Sequence, residues 1–197
     1  MTTTIATTVQ ERLERAHDAA RGVGLLSDAA KADALRAIAD AIDAATPQIV
    51  AANADDLARG RENGLSDGLL DRLRLDAARV AALAAAVRDV AALPDPVGRV
   101  LEERTLPNGV ALQKVSVPFG VVGSIYEARP NVTVDIAALA LRSGNAVVLR
   151  GGTAAQSSNA ALVAVMRDAL AERGLDPEAI QTVDDFGRDG AHALMQA

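Results

Sequence analysis

The amino-acid sequence predicts an α/β protein, with a Rossmann-like parallel sheet, a helical N-terminal layer and a projecting β-hairpin. Residues 1–98 show apolar residues at helical spacing, and residues 99–117 contain Asn-Gly between two strand-like runs. Residues 118–197 alternate apolar strands with helices, a pattern typical of a parallel sheet covered on both faces. These three segments are the expected divisions of the chain.

Four helices are expected in the N-terminal segment. The first ends at Gly22, and the second opens with Ser27 as a candidate N-cap. The third opens with Thr46 as the cap and Pro47 at the first helical position, where its missing N–H costs no hydrogen bond. The fourth is stopped by Pro94, because proline cannot continue a helix.

A hairpin and three strand–helix units are expected after the helices. Asn108-Gly109 marks the hairpin turn, since Asn-Gly between alternating strands favours a tight turn. The strands of the three units are expected at residues 117–125, 145–150 and 179–183. The first of them carries a nearly continuous apolar run, which predicts a buried strand.

The composition excludes several functional classes. A net charge of −6 argues against general nucleic-acid binding, which needs basic surface to neutralise phosphates. The chain contains no cysteine, so it holds no disulfide, thiolate metal site or cysteine nucleophile. His17 and His192 each stand alone on a helical stretch, and no metal site is expected. No apolar run reaches the ~20 residues of a membrane helix and no secretory signal is evident, so the expected location is the cytoplasm.

Two loops at the ends of the first two sheet strands carry the residues that point to chemistry. In an open parallel sheet, ligands bind beyond the carboxyl ends of the strands. Arg150 can fork two hydrogen bonds onto a phosphate or a ribose. Gly151 and Gly152 let backbone N–H groups approach an anion beside a helix N-terminus, and Thr153 adds a hydroxyl. The alternative is a tight Gly-Gly turn with Thr153 as helix cap, and the local pattern leaves both open.

The stretch VPFGVVGSIYEARPNVTVDIAALALRSGNAVVLRGGTAAQSSN resembles the cofactor-binding core of the gamma-glutamyl phosphate reductases, a family of the aldehyde dehydrogenase superfamily. YEARPNVTVD and GNAVVLRGG are specific to that family, and residues 52–66 and 69–75 are similar to its helical N-terminal region. The resemblance covers essentially the whole chain. It implies a sheet of the aldehyde dehydrogenase type, NADP(H) as cofactor, and reduction of L-glutamate 5-phosphate to glutamate 5-semialdehyde in proline biosynthesis.

The resemblance also implies roles for individual residues. In these reductases a cysteine thiolate attacks the acyl phosphate, NADPH reduces the resulting thioester, and the loop matching YEARPN lies beside that cysteine. Asn131 matches the superfamily asparagine that donates to the oxyanion. Arg129 is a candidate partner of the phosphate or of a substrate carboxylate, with Glu127 orienting it; the alternative is an ion pair within the loop. Arg150 matches a lysine that contacts the adenosine ribose, and a cation there suits the extra phosphate of NADP.

The resemblance finally implies an incomplete enzyme. Members of the family are considerably longer, and their cysteine lies in the half that this chain does not contain. The chain is therefore expected to be a truncated, cofactor-binding N-terminal half that is inactive alone. The alternative is a catalytically silent nucleotide-binding or interaction module. In the superfamily a hairpin at this position belongs to the oligomerisation sheet, so a homo-oligomer through the hairpin is expected.

Overall fold

The structure is a computed structural model that describes the backbone of residues 2–197 and the side chains of residues 8–197. The described helices and strands follow in chain order. They are α1 (Thr2–Gly24), α2 (Asp28–Ala44), α3 (Thr46–Glu62), α4 (Asp67–Leu73), α5 (Ala77–Ala92), β1 (Val100–Thr105), β2 (Ala111–Val115), β3 (Val121–Ile125), α6 (Pro130–Arg142), β4 (Ala146–Arg150), α7 (Gln156–Glu172), β5 (Ile180–Thr182) and α8 (Gly187–Gln196). Short 3-10 turns precede α7, β5 and α8. The predicted α/β class is confirmed.

The sheet that positions the site has three parallel strands in the order β3-β4-β5. Every residue of β4 is buried, as its apolar sequence predicts for a central strand. Strand β3 lies at the edge and is only partly covered, with Ile125 at 46% exposure. The prediction that this first strand is buried was wrong, because the apolar run does not reveal that only one neighbour pairs with it.

Helices cover both faces of the sheet. Helices α6 and α7 pack on one face, and α2, α3 and α5 form a further layer outside them. Helices α1 and α8 contact each other and the opposite face. The buried apolar side chains of all these layers form one continuous core. The helical layer predicted for the N-terminal segment is therefore made by α2, α3 and α5, while α1 crosses to the other side of the sheet.

Side-chain caps mark the starts of two helices, and the one at Ser27 was predicted. Ser27 accepts the amide of Ala30 at 3.2 Å at the start of α2, and Asp76 accepts the amide of Arg79 at 2.9 Å at the start of α5. Thr46 is not a cap: it is already the first residue of α3, and its hydroxyl donates to the carbonyl of Asp43. Helix α4 was not predicted, since seven residues are too few for apolar periodicity to stand out.

Strands β1 and β2 form the predicted antiparallel hairpin, separate from the parallel sheet. Gly109 adopts a φ of 84° in the turn, a conformation that strongly favours glycine. All residues of both strands are exposed, including the apolar Leu101 and Leu112. Over the described residues, no helix combines the length and apolar character needed to cross a membrane.

The root of the hairpin is tied to the helical layers. Lys31, which is 2% exposed, forms an ion pair with Asp95 in the segment before β1. Arg142, near the end of α6, donates to the carbonyl of Leu93 and pairs with Asp28 at 2.6 Å. These contacts fix the segment that leads into the hairpin, so the ribbon projects from a rigid base.

Candidate functional site

The carboxyl ends of the three parallel strands meet at one edge of the sheet. The amide of Tyr126 donates to the carbonyl of Arg150 at 3.0 Å, which extends the pairing of β3 and β4 by one residue. The amide of Val183 likewise donates to the carbonyl of Leu149 at 2.9 Å, beyond the end of β5. The loops that follow the strands are therefore held side by side, as the sequence predicts for a ligand site in an open parallel sheet.

A chain of hydrogen-bonded side chains links these loops beneath the surface. The hydroxyls of Tyr126 and Thr133 are 2.7 Å apart, and Thr133 donates to Asn159 Oδ1 at 2.8 Å. Asn159 Nδ2 donates to Asp184 at 2.8 Å, and the other Asp184 oxygen accepts the amide of Gly151 at 2.6 Å. The chain thus runs from the end of β3 through α6 and α7 to the end of β5, and it fixes the relative positions of the loops.

Burial shifts the pKa of both titratable members of this hydrogen-bonded chain upward. The pKa of Tyr126 is raised because its hydroxyl is withdrawn from water, so it stays a neutral donor or acceptor. Burial also raises the pKa of the Asp184 carboxyl, although hydrogen bonds from Asn159 and the Gly151 amide act in the opposite direction. Burial therefore disfavours the charged form of both groups where the loops meet.

Gly151 and Gly152 are required by close packing of the loops. A Cβ atom on Gly152 would lie 2.8 Å from Ala128 Cα and closer still to the Ala128 amide nitrogen. A Cβ on Gly151 would overlap the side-chain amide of Asn159. Both glycines thus admit protein atoms, and the role predicted for them in approaching an anion stays a prediction.

The N-terminus of α7 is occupied by a carboxylate of the protein itself. Asp56, which reaches across from α3, is fully buried. Its oxygens accept the amides of Ser157 at 3.0 Å and Ser158 at 2.7 Å, and the Ser158 hydroxyl at 2.6 Å. A negative group at a helix N-terminus is favoured by the helix dipole. These two amides are therefore not available to a ligand anion.

Donors remain free one turn earlier, between β4 and α7. Within the described chain, the amides of Gly152 and Thr153 have no hydrogen-bond partner, and Thr153 is exposed. Thr153 does not cap α7, which shows no side-chain cap, so that interpretation of its hydroxyl was wrong. Two free N–H groups beside a hydroxyl at the carboxyl end of a central strand suit a phosphate or ribose oxygen. Binding of a cofactor by these donors stays a prediction.

Arg150 is more buried than a ligand-facing cation would need to be. Its side chain is 7% exposed, and it donates to the carbonyls of Gly187 at 3.1 Å and Gly151 at 2.6 Å. The guanidinium therefore braces the loops that follow β4 and β5. Its predicted contact with a cofactor ribose or phosphate stays a prediction.

The loop between β3 and α6 contains an ion pair. Arg129 and Glu127 are 3.2 Å apart, and both side chains are partly exposed. The Nε atom of Arg129 is buried and has no hydrogen-bond partner among the described atoms. Asn131 lies in the first turn of α6 and donates to Asp135 at 3.3 Å. The alternative of an ion pair within the loop is therefore what this structure contains, and the substrate roles of Glu127, Arg129 and Asn131 stay predictions.

Two grooves flank this loop and share the side chain of Arg72. One, of about 320 Å³, lies between α4 and residues 127–129. The other, of about 420 Å³, lies between α5 and the start of α6, where Asn131 and Asp135 line it. Both volumes fall in the range of small-molecule sites.

Nearly the whole chain matches a known protein family. The model for "Aldehyde dehydrogenase family" matches residues 2–197. The chain belongs to the aldehyde dehydrogenase family. It resembles gamma-glutamyl phosphate reductases within that family, including those of Kineococcus radiotolerans, 61% identical over 97% of this chain, and Leifsonia xyli, 57% identical over 99%. The chain spans about half the length of these relatives, 45% and 46% respectively.

Solved structures of aldehyde dehydrogenases and their relatives share this fold. The gamma-glutamyl phosphate reductase of Thermotoga maritima superimposes with a TM-score of 0.88 at 35% identity, covering 91% of this chain and 44% of that one. A probable aldehyde dehydrogenase from Listeria monocytogenes gives a TM-score of 0.75 at 16% identity, which shows the fold alone. The predicted sheet of the aldehyde dehydrogenase type is therefore confirmed.

Sequence reasoning found the two loops of this family member but missed what links them. Tyr126, Thr133, Asn159 and Asp184 were not predicted as a group, and neither was Asp56. These residues are far apart in the chain, and only the packing of α3, α6 and α7 brings them together. No spacing signal within one element could have found them.

Proposed function

We propose that this chain is the cofactor-binding part of an NADP-dependent gamma-glutamyl phosphate reductase. That enzyme would reduce L-glutamate 5-phosphate to glutamate 5-semialdehyde in proline biosynthesis. The observation that carries the proposal is 61% identity to a curated reductase over 97% of the chain. The loops predicted from the sequence to carry chemistry lie together at the carboxyl edge of the sheet, which supports it further.

In this proposal the residues of the chain bind and orient, and the nucleophile comes from elsewhere. NADPH, when bound, supplies the hydride. The free amides of Gly152 and Thr153 and the Thr153 hydroxyl would hold its phosphate or ribose oxygens at the end of β4. Arg129 would exchange its pairing with Glu127 for the anionic substrate, and Asn131 would release Asp135 to donate to the oxyanion.

A reduced cysteine nucleophile fits the cytoplasm, which we propose as the location because thiols stay reduced there.

The 197-residue chain by itself is expected to show no turnover, because it contains no cysteine. When it is joined to the remaining part of the Kineococcus radiotolerans relative, phosphate-dependent reduction of NADP by glutamate semialdehyde should appear. The increase in NADPH absorbance measures the turnover of the chain alone and that of the joined protein. Turnover by the chain alone, in a preparation free of host reductase, would contradict the need for a thiolate. A folded joined protein without this activity would contradict the proposed function.

Cofactor binding by the chain should be weak, with NADP preferred over NAD by about tenfold or more, as expected for one contact to a charged group. Arg150→Ala should remove this preference, while Arg150→Lys should keep part of it. Calorimetric titration of each variant with both cofactors measures the ratio. Because Arg150 also braces two backbone carbonyls, melting temperatures are needed beside the affinities. Equal affinities for NADP and NAD before any substitution would refute the assigned role.

The proposal includes a homo-oligomer formed through the β1–β2 hairpin. A two-stranded ribbon is marginal alone in water, and its outer edges offer unpaired backbone groups. A dimer or larger species is expected in light scattering, with hairpin amides protected from exchange only in the assembled form. Leu112→Lys on the hairpin should shift the chain toward monomer, whereas Leu25→Lys, at another exposed leucine, should not. A stable monomer with a well-protected hairpin would contradict this assembly.

A further inference from the structure

The groove between α5 and α6 contains two opposite charges that lack ionic partners. Arg72, Arg74 and Arg79 all line the groove, but Arg74 and Arg79 both pair with Asp71, at 3.1 and 2.9 Å. The side chain of Arg72 has no hydrogen bond or ion pair within the described part of the chain. It is therefore the one guanidinium of the groove that is free to bind a ligand anion.

Asp135 lines the same groove as Arg72. Its carboxylate has one hydrogen bond, a long one of 3.3 Å from Asn131, and no cation within ion-pair distance among the described residues. Partial burial raises the pKa of Asp135, which reflects the cost of holding a charge there without a cation. The two charged groups are too far apart to pair with each other, so each is left to a ligand.

Part of the wall of this groove is apolar. Leu75 and Leu83 line the groove together with Ala82 and Ala86, and its volume is about 420 Å³. Such a surface suits a short chain of methylene groups. An α-amino acid carries an ammonium and a carboxylate on one carbon, next to an aliphatic side chain. Its ammonium matches Asp135, and its carboxylate matches the planar fork of Arg72.

We propose that this groove binds the α-amino-acid end of the substrate, with Asp135 receiving the ammonium and Arg72 the carboxylate. The inference rests on the proposed function, and it specifies which end of the substrate lies where. The side chain of the amino acid then points along α6 toward Asn131 and the loop of Arg129, where its acyl end would react. The groove should therefore select an amino acid that carries both charges. An analogue that lacks one of the two leaves Asp135 or Arg72 without its ionic partner.

Titration of the isotope-labelled 197-residue chain with L-glutamate, glutarate and 4-aminobutyrate tests the proposal by NMR. L-Glutamate should shift amides of residues 82–86 and 131–135 and bind about tenfold or more tightly than either analogue, each of which lacks one charge. Asp135→Asn should abolish the preference over glutarate, and Arg72→Gln the preference over 4-aminobutyrate. Arg36→Gln, an exposed arginine on α2, should change neither ratio, and melting temperatures verify folding of each variant.

The outcomes separate this proposal from the function it rests on. Equal affinities for the three compounds, or shifts confined to other regions, overturn the groove assignment. In the joined protein, the two groove variants should raise the KM for glutamate semialdehyde about tenfold or more with a smaller change in kcat. An active joined protein whose KM is insensitive to both variants retains the function and overturns the groove. An inactive joined protein overturns the function, and the titration still decides whether the groove takes an amino acid.

Discussion

Asp56→Ala is expected to destabilise the chain by about 3–5 kcal/mol, the range seen when a buried charged partner is removed. The Asp56 carboxylate is fully buried and serves three donors of Ser157 and Ser158 at the start of α7. Its loss leaves the buried Ser158 amide without a partner and the Ser158 hydroxyl without an acceptor, although that hydroxyl still accepts from Asn53 at 3.0 Å. It also removes the ion-pair partner of Arg59. The midpoint of urea unfolding should fall with little change in slope, and the melting temperature should fall by about 6 °C or more for a chain of this size.

The neighbouring residue provides a matched control. Asp55 lies on the same helix, and its exposed side chain makes no hydrogen bond or ion pair with the described residues. Asp55→Ala should therefore change stability by less than about 0.5 kcal/mol. Asp56→Asn keeps one carbonyl oxygen and should lie between the wild type and Asp56→Ala. Equal stabilities of the Asp56→Ala and Asp55→Ala variants would show that water replaces the carboxylate at the helix N-terminus.

The sequence could predict features made by residues that are close together in the chain, but it could not predict the role of Asp56. The boundaries of α2 and α5 follow from Ser27 and Asp76, because a side-chain cap acts on an amide three residues away. The hairpin follows from Asn108-Gly109 for the same reason, since the turn is a local event. Asp56 is separated from Ser158 by about a hundred positions. The sequence around a helical aspartate does not reveal whether its side chain is buried against such a distant partner or exposed to water.

The candidate site divides in the same way. The place of the loops follows from the alternation of strands and helices, which predicts a parallel sheet and so fixes its carboxyl edge. What the loop residues do depends on their partners. Arg150 reads as a ligand-facing cation from the sequence, yet its guanidinium contacts two carbonyls, one of them from the start of α8. That contact depends on how the loop after β5 folds back, which no local pattern encodes.

Gly152→Ala is expected to destabilise the chain by about 1–3 kcal/mol or more, the cost of forcing an extra methyl into packed surroundings. The added Cβ would lie 2.8 Å from Ala128 Cα, and backbone atoms cannot move aside as a flexible side chain can. The clash should push residues 127–129 away from the end of β4. Urea unfolding measures the loss of stability, and amide shifts of residues 127–131 measure the displacement.

Gly68→Ala is the matched control, because Gly68 is exposed in α4 and nothing lies within 4 Å of an added Cβ. That change should stabilise the chain by a few tenths of a kcal/mol up to about 1 kcal/mol, since alanine favours the helix more than glycine does. The comparison distinguishes two reasons for a glycine at position 152. If the glycine only admits a cofactor oxygen, Gly152→Ala leaves the stability of the cofactor-free chain unchanged and weakens NADP binding alone. If it admits the Ala128 backbone, stability falls before any cofactor is added, and the close contact in the structure requires this second result.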